Sequence, residues 1–164
     1  LTTHGGQQAQ DACHLWTALI IDAFEHGEST KSPARLLDYA CNPHGRPYDA
    51  ELVQRVRNAL NGKKPHEVLP RGYVLDGVEL ALSALLTTNT FEDGLIEVVN
   101  QGGDADTNGA IYGQLAGAIY GASAIPARWF KQLMWRGAIG QLIVGLWHFS
   151  AKVVDAHGAE EKGA

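Results

Sequence analysis

Residues 102–121 read GGDADTNGAIYGQLAGAIYG. Two glycines interrupt what precedes them, because glycine tolerates backbone angles that other residues avoid. Asp104, Asp106 and Thr107 follow at the point where apolar residues begin to recur at helical spacing. The pattern predicts a helix over 106–120 with two carboxylates and a hydroxyl at its start. Within it Gly109, Gly113 and Gly117 recur every four residues and form one narrow stripe without side chains. Each glycine costs a helix about 1 kcal/mol relative to alanine. Another helix or a cleft wall is therefore expected against that stripe.

The remaining sequence repeats the helical period. Ala9, Ala12, Trp16, Ile20 and Ala23 mark a helix over 7–26, with Gly27 where a C-cap glycine belongs. Ser32 and Pro33 open a short helix over 34–41, and Asn42-Pro43-His44-Gly45 makes a turn. Asp49 caps a helix over 50–60. Pro65, Pro70 and Gly72 mark a loop, after which 74–86 is helical. Thr90 with Asp93 resembles a capping box opening a helix to residue 100. Short and long helices are expected over 127–134 and 140–154. No stretch alternates with period two between turn signals, so the fold class is all-α.

Composition narrows the function classes. A 164-residue chain can bury a genuine core, and 19% charged residues suit a globular protein. The net charge of -5 gives no general attraction to nucleic acid or anionic membrane, and Lys63-Lys64 is the only adjacent basic pair. No apolar run approaches the ~20 residues that span a bilayer. Cys13 and Cys41 lack metal spacing and are expected as reduced, partly buried thiols of a cytoplasmic protein. The chain starts at Leu1 without a signal-peptide pattern, which suggests a cut from something larger. We expect 1–154 to form part of one all-α domain and 155–164 a flexible tail.

Carboxylate and hydroxyl oxygens are hard donors, suited to Mg²⁺, Mn²⁺ or Ca²⁺. Asp and Thr are also good N-caps, so a capping role competes with a metal role at Asp104, Asp106 and Thr107. One cap satisfies one helix start, and the second acid would then be superfluous. The other candidates are plainer. Trp16, Trp129, Trp135 and Trp147 suit core or interface anchors. His14 and His148 fit surface or core-edge positions, and His26, His44, His66 and His157 fall near turns or the tail. No histidine pair has helical metal spacing.

The run from Gly102 to Gly121, followed by Ile125-Pro126 and Trp129, resembles the C-terminal signature of the ADP-ribosylglycohydrolase family. Gly72-Tyr73-Val74 leading to Thr90-Phe91-Glu92-Asp93 extends the match upstream, and Thr3-His4 resembles the family's Thr-His element. The resemblance covers roughly residues 2–135. It implies an all-α enzyme with two divalent cations, Mg²⁺ or Mn²⁺, that hydrolyses the N- or O-glycosidic bond between ADP-ribose and an acceptor. It implies metal ligation by Asp104, Asp106 and Thr107, with Asp104 and Asp106 catalytic through the metals. It also implies contacts to ADP-ribose from His4 and Tyr73, and a cleft floor shaped by Gly102 and Gly103. Partners would be an ADP-ribosylated protein or an ADP-ribose-containing small molecule, with nucleic acid entering only as a modified acceptor.

One element departs from the pattern. The family's Thr-Asp-Asp motif is absent, since the chain contains no adjacent Asp pair. An N-terminal half carrying that motif, in the same gene or a second chain, is therefore the expected partner. The alternative is a catalytically inactive member that binds ADP-ribose, serves a structural role or completes a partner's fold.

Overall fold

The computed structural model describes residues 5–41 and 47–160, with side chains as far as residue 149. Thr3-His4 and the turn expected at 42–45 lie outside the described residues. Among the described residues there are eight α-helices and no strand. They are α1 Gln7–His26, α2 Pro33–Cys41, α3 Ala50–Leu60, α4 Val74–Thr87, α5 Phe91–Asn100, α6 Ala105–Tyr120, α7 Ala127–Gln132 and α8 Arg136–Glu160. The chain divides into two compact units, Leu1–Ile125 and Pro126–Ala164.

In the first unit α4 is the central element. Every residue from Leu75 to Leu85 is buried, and α1, α3, α5 and α6 all pack on it. An all-round apolar helix can be satisfied only in such a position. Two of these buried residues are acids, Asp76 and Glu79. Arg55 of α3 lies 2.6 Å from Glu79 and 3.1 Å from Asp76, and Lys63 lies 3.0 Å from Glu79. Asn58 donates a further bond to Glu79. A charge leaves water only with such partners, so this network fixes α3 on α4. Across α4, α1 is tied to α6 by the Trp16 indole N–H, which donates to the Ile111 carbonyl at 3.2 Å.

The expected caps form where the pattern placed them. Asp49 accepts from the amides of Glu51 and Leu52, and Thr90 accepts from the Asp93 amide. Thr90 donates its hydroxyl proton to the Asp93 carboxylate, so the reciprocal half of a capping box is replaced by a side-chain bond. Gly27 ends α1 with φ +56°.

Three expectations change. Cys13 and Cys41 are exposed rather than partly buried, and both are free thiols. The stripe on α6 is covered only at Gly109, where an added Cβ would meet Val99 and Leu95 of α5 at 3.2 and 3.6 Å. Gly113 and Gly117 face open space. The stripe winds slowly around the helix because 3.6 residues per turn is not 4, so one end leaves the α5 contact.

In the second unit α7 ends earlier than expected, and α8 is longer than the expected 140–154 at both ends. Gly140 and Gly145 lie inside α8 as expected, and Gly137 lies inside its N-terminal extension. Trp135 takes φ +62° just before it, an uncommon angle for a large side chain. Trp135, Trp147 and His148 are exposed, so they are not core residues. Apolar residues cover the described part of α8, including Leu142, Ile143, Leu146 and Phe149, all exposed.

Candidate functional site

Two loops meet back to back below the start of α6. The Asp104 amide donates to the Pro70 carbonyl at 3.0 Å, which joins the segment before α4 to the segment before α6. Gly103 makes this approach possible. Its φ is +61°, and a Cβ there would sit 2.0 Å from the Pro70 oxygen. Gly102 has φ +72° with open space around it, so its requirement is conformational alone. Neither glycine lines the cleft; together they form the turn that delivers Asp104 to it.

The cleft has a volume of about 930 Å³ and is bounded by the starts of α1, α4 and α6. Gly6 to Gln10 form one wall, Arg71 to Val74 another, and Asp104, Thr107, Asn108 and Ile111 the third. Gly6, Tyr73 and Asp104, the N-cap residues of these helices, make no side-chain capping bond. By contrast α3 and α5, which start elsewhere, are capped by side chains. Uncapped helix starts leave amide donors and a partial positive charge facing the cleft.

Asp104 occupies the N-cap of α6 without capping it, and its carboxylate lines the cleft beside Gly72. Thr107 lines the same wall and is exposed, and Asp106 is exposed but not among the lining residues. These three side chains have no protein partner among the described residues. The donor set is therefore free and chemically hard, suited to Mg²⁺ or Mn²⁺. It is also small. No group of three acidic, histidine or cysteine side chains able to hold a metal occurs among the described residues.

Tyr73 lines the cleft, and its hydroxyl donates to Gln8 at 2.7 Å, bridging α4 to α1. Burial and the nearby Glu51 carboxylate push that hydroxyl above the usual tyrosine range, so it remains a proton donor. Arg71 hydrogen-bonds through Nε to buried Asp76 at 2.7 Å, which keeps its charge and sets its orientation at the cleft edge. His4 lies outside the described residues.

Gln8, Arg71 and Asn108 line the cleft but were not legible as site residues. Asn108 carried the best signal. It stands four residues after Asp104, a spacing that puts both on one helix face. Its amide N–H donates to the Asp104 carbonyl, closing the first turn of α6.

The model of the ADP-ribosylglycohydrolase family matches residues 1–155, and the chain belongs to that family. It is 29% identical over 150 residues to ADP-ribosylarginine hydrolase Tri1 of Serratia proteamaculans, covering 92% of this chain and 39% of that protein. It is 44% identical over 70 residues to the ADP-ribosyl-[dinitrogen reductase] glycohydrolase of Rhodospirillum rubrum, covering 43% of this chain and 24% of that protein. A solved ADP-ribosylglycohydrolase-related protein complex aligns with a TM-score of 0.75 and 34% identity, over 91% of this chain and 50% of that one. The chain thus spans half or less of the length of these relatives. No helix among the described residues is long and apolar enough to cross a membrane.

Proposed function

We propose that this chain supplies the C-terminal half of a divalent-metal-dependent ADP-ribosylglycohydrolase. The observation that carries the reading is the unpartnered Asp104 carboxylate. It occupies a helix N-cap without capping, and it lines a cleft of about 930 Å³ with Thr107. The three uncapped helix starts around that cleft favour an anionic ligand such as ADP-ribose.

In this reading Asp104, Asp106 and Thr107 hold two Mg²⁺ or Mn²⁺ ions together with ligands from an N-terminal half bearing a Thr-Asp-Asp element. The cations supply positive charge that orients ribose hydroxyls and acidifies water. The chain's own residues bind and orient. Tyr73, fixed by Gln8, packs along the ligand, and Arg71, fixed by Asp76, offers its remaining N–H groups to ligand oxygens. Gly102 and Gly103 hold the turn that aims Asp104. The bond cleaved is the glycosidic bond from the anomeric carbon to an acceptor, through an oxocarbenium-like transition state with water as nucleophile. ADP-ribosylarginine is the first substrate to test, because two of the relatives are named for it. The exposed, unbridged thiols of Cys13 and Cys41 suit a reducing cytoplasmic compartment.

A second reading is supported by the small donor set and by the exposed apolar residues of α8. Here the chain completes a partner's fold without catalysing the reaction. One assay separates the two. ADP-ribose release from an ADP-ribosylated arginine substrate is measured with Mn²⁺, with the N-terminal half present. The enzyme reading expects turnover that Asp106→Ala abolishes and Asp104→Ala strongly weakens. Normal turnover in both variants would refute the metal assignment, and no turnover in the complete assembly would favour the second reading.

A further inference from the structure

We infer that Asp76, a buried acid that does not itself line the cleft, is a positioning residue acting through Arg71, whose guanidinium it holds ready for a phosphate group of ADP-ribose. The inference deepens the proposed function and rests on it. Asp76 is 1% exposed in the apolar centre of α4. Its Oδ2 accepts from Arg71 Nε at 2.7 Å, and its Oδ1 is buried without a hydrogen bond. Arg55 Nη1 lies 3.1 Å from that Oδ1 and supplies charge, but Arg55 directs its hydrogen bonds to Glu79 and Glu51. A carboxylate taken out of water with so little in return destabilises the centre of a helix. Packing therefore gives no reason for an acid here.

The attachment of α3 to α4 gives none either. Glu79 already receives Arg55 at 2.6 Å, Asn58 at 2.8 Å and Lys63 at 3.0 Å. Arg55 in turn is bonded by Glu79 and Glu51, so that network closes without Asp76. What Asp76 alone holds is Arg71. Among the described residues the Arg71 side chain has no other partner. It is 58% exposed and lines the cleft. Its backbone is held as well: its amide donates to the Leu69 carbonyl, and the Asp104 amide donates to the neighbouring Pro70 carbonyl. An exposed arginine ordinarily samples many rotamers and loses that freedom when it binds a ligand. The bond to Asp76 removes much of that loss beforehand.

The free end of the guanidinium defines the partner. With Nε engaged on Asp76, both Nη groups remain, coplanar and charged, in the geometry that pairs with paired oxygens of one phosphate. Within ADP-ribose only the diphosphate is anionic. Lysine cannot combine the two tasks. Its single ammonium would sit on Asp76 or on the ligand, whereas arginine reaches both through different nitrogens.

The test is calorimetric titration of ADP-ribose, ADP and adenosine, with the N-terminal half present, into wild type, Asp76→Asn, Arg71→Met, Arg71→Lys and the double variant Asp76→Asn/Arg71→Met. Arg71→Met should lose about tenfold or more in affinity for ADP-ribose and ADP, with adenosine unchanged. Asp76→Asn should lose about threefold or more with the same ligand pattern, and should add nothing in the Arg71→Met background. Arg71→Lys should also bind ADP more weakly than wild type, although it keeps the charge. An equal loss from Asp76→Asn in both backgrounds, or a parallel loss of adenosine, would make Asp76 structural and overturn the inference. Unchanged ADP affinity in Arg71→Met would overturn it while leaving the proposed function intact. If Asp76→Asn does not fold, Arg71→Lys decides alone, and full ADP affinity in that variant would overturn the inference. Failure of wild type to bind ADP-ribose would refute the proposed function and this role with it.

Discussion

The Asp104 carboxylate fills the space that a side chain at Gly72 would need: a Cβ at position 72 would lie 2.9 Å from Oδ2 of Asp104. The absence of a side chain at Gly72 is what lets that carboxylate rest against the opposite loop. A carboxylate end can swing aside, so a substitution here is cheap for the fold and expensive for the position of the acid. Gly72→Val should leave the melting temperature near that of wild type and weaken Mn²⁺ binding. Calorimetry with Mn²⁺ checks this, and an unchanged affinity would show that the position of Asp104 is immaterial.

The two glycines of the turn should behave differently. Gly102→Ala meets no atom and pays only for its left-handed backbone, roughly 1–2 kcal/mol. Gly103→Ala pays that cost and also collides with the Pro70 carbonyl, a backbone atom that cannot rotate away. Urea denaturation should therefore rank Gly103→Ala as clearly the less stable. Equal stabilities would mean that the two loops do not touch as described.

Gly94 and Tyr112 offer a compensation test. A Cβ on Gly94 would fall 1.9 Å from the Tyr112 hydroxyl oxygen. Burial holds that hydroxyl's pKa up at about 12, so it is neutral throughout the working range. Gly94→Ala should destabilise by about 1–3 kcal/mol through overpacking. Tyr112→Phe removes the obstructing oxygen, and the double variant should recover part of the loss. Strict additivity in a double-mutant cycle would contradict the contact.

Acid stability should depend on Asp22. Burial pushes its carboxyl pKa up, but hydrogen bonds from Thr30 and Tyr39 and the charge of Arg35 outweigh this and hold it below the usual range. An unfolded aspartate ionises near pH ~3.9. The stabilisation is therefore complete above that pH and disappears as pH falls through the lower, folded value. Asp22→Asn should be less stable than wild type at neutral pH, and the difference should shrink below about pH 4. A difference that stays constant across this range would remove Asp22 from the acid transition.

Most of the fold could be read from the sequence because its signals are local. The caps at Asp49 and Thr90 and the stop at Gly27 depend on neighbouring residues, and they appear where the pattern placed them. What depends on three-dimensional packing was harder. The glycine stripe of α6 promised a close neighbour along its length, but only Gly109 has one, since coverage depends on where α5 runs. The pattern places the last helix over 140–154, yet it begins at Arg136 and runs on through Gly137. In the site, Asp104 and Thr107 were legible as candidates because their types and spacing suggest ligation, and Tyr73 only through the family resemblance of Gly72-Tyr73-Val74. Asn108 and Arg71 were not, because an unsatisfied amide and a guanidinium set by a buried acid are properties of assembly rather than of order along the chain.

The complete burial of α4 has a consequence for backbone hydrogen exchange. Its inner amides are enclosed by four other helices, so solvent deuterium should reach them only through opening of the whole first unit. The cleft's loops are built at the margin of this slow-exchanging centre, Tyr73 immediately before α4 and Asp104 joined to Pro70 three residues earlier. Protection factors measured along residues 70–87 should therefore climb steeply within about one helical turn. An occupied cleft would extend that protection outward to the loops, making deuterium uptake at Arg71 and Gly72 a ligand reporter that requires no catalytic turnover.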